Sequence, residues 1–116
     1  MASTDSAASD DERWLVIDGR RWRRTDPALP DDLAAALRSH LGRARAAVRV
    51  AGRDGDEEAV ADARRRVGLA KAGLGERGLR WWDDEVAARV SRARDALADL
   101  DRLAPPRADG EPSVNT

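Results

Sequence analysis

From Arg13 onward, apolar and polar residues follow a rhythm that divides the chain into a strand pair and three helices. Trp14, Leu15, Val16 and Ile17 run into Asp18-Gly19, and Arg20, Arg21, Trp22, Arg23 and Arg24 follow. Asp-Gly between two such runs predicts a β-hairpin over residues 13–24, because both central positions of a type I′ turn need positive φ. With Asp18 and Gly19 as the loop, Ile17 opposes Arg20, Val16 opposes Arg21, Leu15 opposes Trp22 and Trp14 opposes Arg23. Strand side chains alternate between faces. One face then carries Leu15, Ile17 and Trp22, with Arg20 and Arg24 at its ends. The other carries Trp14 and Val16 beside Arg21 and Arg23. The first face is expected to dock on helices, since a lone hairpin is marginal in water.

The period then changes from two to three and four. Thr25-Asp26-Pro27-Ala28-Leu29-Pro30 has the composition of a turn, and Pro30-Asp31-Asp32 places proline and acids at the positive end of a helix dipole. A first helix is predicted over residues 30–51, with Leu33, Leu37, His40 or Leu41, Ala44, Val48 and Ala51 as its apolar stripe, and Gly52-Arg53-Asp54-Gly55 as its break. A second, over residues 56–74, repeats Val60, Ala63, Val67, Ala70 and Leu74 in alternating steps of three and four, the spacing of coiled-coil packing. Two such helices joined by a short Gly/Asp loop fold back antiparallel. After Gly75-Glu76-Arg77-Gly78 and Trp81-Trp82, the acids Asp83, Asp84 and Glu85 open a third helix over residues 83–104, striped by Val86, Val90, Ala93, Leu97, Leu100 and Leu103 or Ala104, and closed by Pro105-Pro106. The architecture expected is mainly α, an N-terminal hairpin packed on an antiparallel helix pair plus a third amphipathic helix. Residues 1–12 and 105–116 read as disordered tails flanking one domain over residues 13–104. No internal repeat is visible beyond the helical rhythm.

Composition narrows the function classes. Four Trp are the whole aromatic content of the 116 residues, and much of the 41% hydrophobic fraction is alanine, so the core is thin and each indole weighs heavily in it. Lys and Arg number 21 against 22 acids, a formal net charge of −1, so no global field draws the chain toward nucleic acid or an anionic membrane. Cysteine is absent, which removes disulfides, thiolate nucleophiles and Cys-based metal sites. No run of apolar residues approaches a membrane span, and the N-terminus lacks the pattern of a secretory signal, so a cytoplasmic chain with no membrane insertion is expected.

The candidate chemistry is sparse. Gly73-Leu74-Gly75-Glu76-Arg77-Gly78 spells the dinucleotide pattern, but a helix precedes it where a strand is required, so it reads as a helix stop. Asp54, Asp56, Glu57 and Glu58 lack the spacing of a calcium loop and suit a helix start. His40 has no second His and no Cys for a transition metal, and reads as a half-exposed helical residue; Ser39 lies about 100° away from it round the helix, so the two form no dyad. No catalytic constellation, metal site or cofactor is therefore expected, and the chain reads as non-enzymatic.

What remains is charge beside indole. Residues 13–24 hold five arginines against one aspartate, a local charge of +4 interleaved with Trp14 and Trp22. The candidate interaction residues are Trp14, Arg20, Arg21, Trp22, Arg23 and Arg24, joined by Trp81 because Trp is enriched at interaction hot spots. Of the adjacent pair, Trp82 falls in phase with Val86 and Val90 and is the one expected in the core. Two uses are expected of this cluster: a protein-interaction or adaptor surface, self-association through the third helix included, or nucleic-acid binding through the hairpin and the arginines of the first helix.

At WLVIDGRRWRRTDPALP and again at LAKAGLGERGLRWW the sequence resembles a group of small proteins of high-GC, actinobacterial type that go by the label biopolymer transporter Tol and have no established activity. The likeness covers roughly residues 13–82 and rests on the hairpin from Trp14 to Trp22, the Thr25-Asp26-Pro27 turn, and Gly75-Glu76-Arg77-Gly78 leading to Trp81-Trp82. Longer members continue into a small winged-helix-like domain, where this chain has a third helix and a short tail. What the resemblance implies is at most an accessory place beside a transport system.

Overall fold

The computed structural model describes residues 10–106. A single helical turn, α1 (Asp10–Arg13), leads into β1 (Trp14–Ile17) and β2 (Arg20–Arg23), followed by α2 (Asp31–Asp54), α3 (Glu57–Gly73), a 3-10 turn at Trp81–Asp83, and α4 (Val86–Leu103). The fold is mainly α with a two-stranded antiparallel hairpin packed at the N-terminal end.

The strands pair as Trp14↔Arg23, Leu15↔Trp22, Val16↔Arg21 and Ile17↔Arg20. Asp18 and Gly19 both take positive φ, 53° and 80°, which gives the turn the twist that the strands need. The faces do not bury as the alternation suggests. Ile17 and Trp22 stay 51% and 37% exposed, and the protected residues are Trp14, Leu15 and Arg23 at the hairpin's root. The hairpin docks end-on rather than face-on, because what receives it is the α3–α4 connection and not a helix flank.

That root is held by bonds the sequence rhythm does not reveal. Arg24 N–H donates to Arg13 O, extending the ladder by one rung, and Arg24 Nε donates to Asp11 O and Trp14 O at 2.7 and 3.1 Å, which ties α1 to the hairpin. Residues 10–12, expected in the N-terminal tail, are thus helical and anchored; residues 1–9 and 107–116 of the two tails lie outside the described residues.

The helices bury the expected stripes in most places. Leu29, Leu33, Leu37 and Leu41 from α2 and its approach meet Ala70 and Leu74 of α3 and its end, and Ala93, Ala96 and Leu100 of α4. Small residues set the spacing: a Cβ on Gly73 would stand 3.0 Å from Ala96 Cβ and 3.1 Å from a Leu37 methyl, so three helices converge where only glycine fits. Of the α4 stripe, a candidate for pairing with a second copy, Ala93 and Leu100 are buried within the chain, joined by Ala96 outside the expected stripe, Val90 and Leu97 are partly buried, and Val86 and Leu103 at its ends are about half exposed.

Two boundaries and the burial of one residue differ from the sequence reading. α2 continues through Gly52 to Asp54, because a glycine inside a helix costs only about 1 kcal/mol, and it stops at Gly55, whose φ of 70° closes the last turn. α4 begins at Val86, since Asp84 and Glu85 are extended, and Val86 is left 51% exposed at the helix start. His40, read as half-exposed, is buried at 2%. It lies on the inner side of α2, and Asp101 of α4 supplies the partner that makes this tolerable, 2.7 Å from Nε2. A carboxylate only accepts, so Nε2 carries the hydrogen, and Nδ1 accepts from Arg43 Nη2 at 3.1 Å.

Candidate interaction surface

The arginines of the hairpin fall into two groups. Arg23 Nη1 reaches the carbonyls of Gly75, Gly78 and Leu79 at 3.4, 3.0 and 3.1 Å, so it closes the α3–α4 loop onto β2. Burial, and then repulsion from Arg80, lower its pKa from the usual arginine value. Arg24 holds Asp11 and Trp14 as described. These two are committed to the fold.

Arg20 and Arg21 are exposed, and among the described residues their guanidiniums lie over indoles instead of beside carboxylates: Arg20 is 4.6 Å from the Trp22 ring and Arg21 is 4.2 Å from the Trp14 ring. Such stacks stabilise by about 0.5–1 kcal/mol at exposed sites and leave the outer face and edges of each guanidinium open.

Beneath them runs a series of indoles. Trp14 meets Trp82 edge-on at 5.5 Å, and Trp82 meets Trp81 at 5.2 Å and 86°. Arg13 and Arg23 lie 4.9 and 5.6 Å from the Trp82 ring, and Arg89 lies 5.4 Å from Trp81. Trp81 is the member in the core: it is 4% exposed and its Nε1–H donates to Arg24 O at 3.0 Å. The sequence reading put Trp82 inside and Trp81 on the surface. The 3-10 turn reverses the pair, because the phase of α4 does not extend back across the extended Asp84-Glu85 link. Trp81 is therefore not displayed to a partner, whereas Trp14, Arg20, Arg21 and Trp22 retain exposed surface.

A buried ion pair fixes the platform under the hairpin. Arg89 of α4 bonds Asp26 through Nη2 and Nε, at 2.7 and 2.9 Å, with side-chain exposures of 11% and 2%. The hydrogen bond to Asp26, opposed by burial, raises the Arg89 pKa. Asp26 also accepts from Ala28 N–H, and its own N–H donates to Leu74 O, so the Thr25-Asp26-Pro27 turn joins the hairpin to the ends of α3 and α4. Gly75, at φ 81°, lies beneath this turn; a Cβ there would stand 3.0 Å from Asp26 Cβ and 3.1 Å from Trp81 Cδ1. A little further along, Arg92 bonds Asp84 at 2.6 Å, and this bond, with the N–H of Glu85, holds the Asp84 carboxyl below its usual pKa.

Beyond the root the hairpin presents Val16 at 67% exposure, Ile17 at 51% and Trp22 at 37%. Lys71 of α3, which sequence reasoning did not single out, lies 5.5 Å from the Trp22 ring and links the hairpin to the helix pair. Nothing in its spacing along α3 points to a contact with Trp22. Among the described residues no group of three or more His, Cys, Asp or Glu is arranged to hold a metal ion.

Compared with known proteins, the chain matches no family model, no curated protein and no solved structure.

Proposed function

We propose that the protein is a non-enzymatic interaction module that engages a protein partner through the outer half of the β1–β2 hairpin. The observation that carries this reading is the contrast along one short element: a root bonded to three loop carbonyls by Arg23 and an outer half that leaves Val16, Ile17 and Trp22 in water. Exposed apolar side chains on a pre-ordered support bind with little further loss of conformational freedom, and Trp and Arg are the residues that most often anchor protein interfaces. Arg20 and Arg21 flank the apolar positions with cations that carry no carboxylate partner among the described residues.

Nucleic-acid binding by the hairpin itself has less support, because Trp14, Trp22 and Trp82 each already carry a cation against the ring on which a base would stack. An accessory place beside a transport assembly is compatible with an adaptor, and no helix among the described residues is long and apolar enough to cross a membrane.

The test is an affinity isolation in which wild-type protein and an Ile17→Thr/Trp22→Ala variant are compared, with binding of the recovered partner then measured using both proteins purified. The reading expects a partner held by the wild type and released by the variant, with a negative heat-capacity change from apolar burial. Concentration-dependent mass in sedimentation, lost in the same variant, would make that partner a second copy. Equal binding by both proteins would overturn the reading.

A further inference from the structure

A second surface, independent of the hairpin's apolar positions, lies between α2 and α3. Arg45, Val48 and Arg49 stand on one face of α2, spaced by three and four residues, opposite Arg64 and Val67 of α3, and Arg77 folds back from the following loop to close the far side. The reach of Arg77 is shown by its Nη1, 3.8 Å from the place a Cβ on Gly68 would take. Together they enclose an open cleft of about 440 Å³ with a valine floor and four guanidiniums around it.

None of these four guanidiniums has a hydrogen bond or ion pair with another described residue. That sets the cleft apart from two neighbouring hollows, which include carboxylates: Asp56 and Glu57 beside Arg64 in one, Asp62 beside Arg65 and Arg66 in the other. It also differs from the α4 side, where Arg89 and Arg92 are matched by Asp26 and Asp84. The repulsion extends to Lys71, whose pKa is lowered by burial, and further by Arg45 and Arg77 against the opposing pull of Glu76. Arginine does not release its proton at any ordinary pH, so like charges gathered here cannot relieve one another by deprotonating, as a cluster of lysines or histidines would.

An anion with several oxygens relieves this arrangement. Guanidinium forks match phosphate oxygens in pairs, and charge-assisted bonds of that kind are about twice as strong as neutral ones. The apolar floor suits a ring or sugar between phosphates. Beyond Arg64 the surface turns acidic at Asp56 and Glu57, which limits the length of anion the site can follow. From Arg64 to Lys71 is seven residues of helix, about 10 Å, enough for a few phosphates and no more.

We propose that the cleft between α2 and α3 is a binding site for phosphate groups, with Arg45, Arg49, Arg64 and Arg77 as their ligands, the phosphates belonging to a short stretch of single-stranded nucleic acid or to a free polyphosphate. The site goes beyond the hairpin reading and stands whether or not that reading does.

The experiment measures fluorescence anisotropy of a short labelled RNA oligomer of mixed sequence against the full chain, across a salt series, with inorganic triphosphate and poly-glutamate as competitors. The variant is Arg45→Gln/Arg49→Gln, which keeps helix-forming residues on an exposed face. Arg94→Gln, on α4 and away from the cleft, is the control. Expected are a log–log salt slope of about −3 for four strand phosphates, roughly halved in the double variant together with a loss of affinity of about tenfold or more, and no change in the control. Competition by triphosphate at matched phosphate concentration assigns the site to free polyphosphate, and competition only by unlabelled oligomer assigns it to a strand. The proposal is overturned by absence of binding at low salt in folded wild type, by equal binding in the double variant, or by poly-glutamate competing as well as the oligomer, which would make the ligand an acidic protein segment.

Discussion

Arg21 and Arg23 stand two residues apart on β2 and share a face, yet one bonds three carbonyls and the other covers a ring. The sequence cannot tell them apart, since the acceptors of Arg23 lie 52 to 56 residues away in a loop whose path depends on the completed fold. The same holds for Asp26, which read as turn chemistry and is also half of a buried ion pair with Arg89. Removing one partner of such a pair leaves the other charge buried without compensation, at a cost of about 3–5 kcal/mol. Asp26→Ala is therefore expected to lower stability by an amount in that range, read from the midpoint of urea unfolding. Asp26→Ala/Arg89→Met, which removes both charges, should recover a large part of it. If the double variant is no more stable than Asp26→Ala, the loss arises from the bond that the Asp26 carboxylate accepts from the Ala28 N–H and not from the stranded charge.

Among the elements, the hairpin register and the existence of all three long helices were legible, because each depends on local chemistry: an Asp-Gly turn, periods of two and of three to four, acids at helix starts and glycines at their ends. What escaped was the orientation of the hairpin and the order of Trp81 and Trp82. Both depend on the segment from Gly75 to Glu85, whose conformation is set by bonds donated by Arg23 and Arg89 and by the bond that Trp81 donates to the Arg24 carbonyl. The end of α2 shows how far local rules reach. Gly52 is helical and a Cβ there meets nothing within 4 Å, whereas Gly55 holds φ at 70° with equally open surroundings. Gly52→Ala should stabilise the protein by about 0.5–1 kcal/mol, and Gly55→Ala should destabilise it by about 1–2 kcal/mol through backbone strain alone. Thermal unfolding of the two variants checks this directly, and shifts of the same sign in both would contradict the assigned helix end.

Taken whole, the molecule is elongated, 59 × 32 × 20 Å, with the hairpin packed where α3 ends and α4 begins, and the acidic α2–α3 loop at the other end of the helix pair. A net charge of −1 conceals this layout. Carboxylates match Arg80, Arg89, Arg92 and Arg102 of α4 and its approach, while the arginines of the α2–α3 cleft and the outer hairpin have no carboxylate partner among the described residues. Composition averages the two regions to zero, so the sequence could mark the arginine-rich hairpin but could not show which arginines the fold itself engages. That division governs the whole functional reading, since only side chains the fold does not need are free to meet a partner. It is tested most directly by thermal unfolding of two variants side by side, Arg23→Ala and Arg20→Ala/Arg21→Ala. Loss of the charged hydrogen bonds of Arg23 should cost about 1.5–3 kcal/mol, lowering the midpoint by roughly 4–8 °C for each kcal/mol, while the outer pair should shift it by about 1–2 kcal/mol at most, the summed value of two exposed cation–π stacks. An outer pair that destabilises the protein more than Arg23 does would contradict the division and return the whole cluster to a structural role.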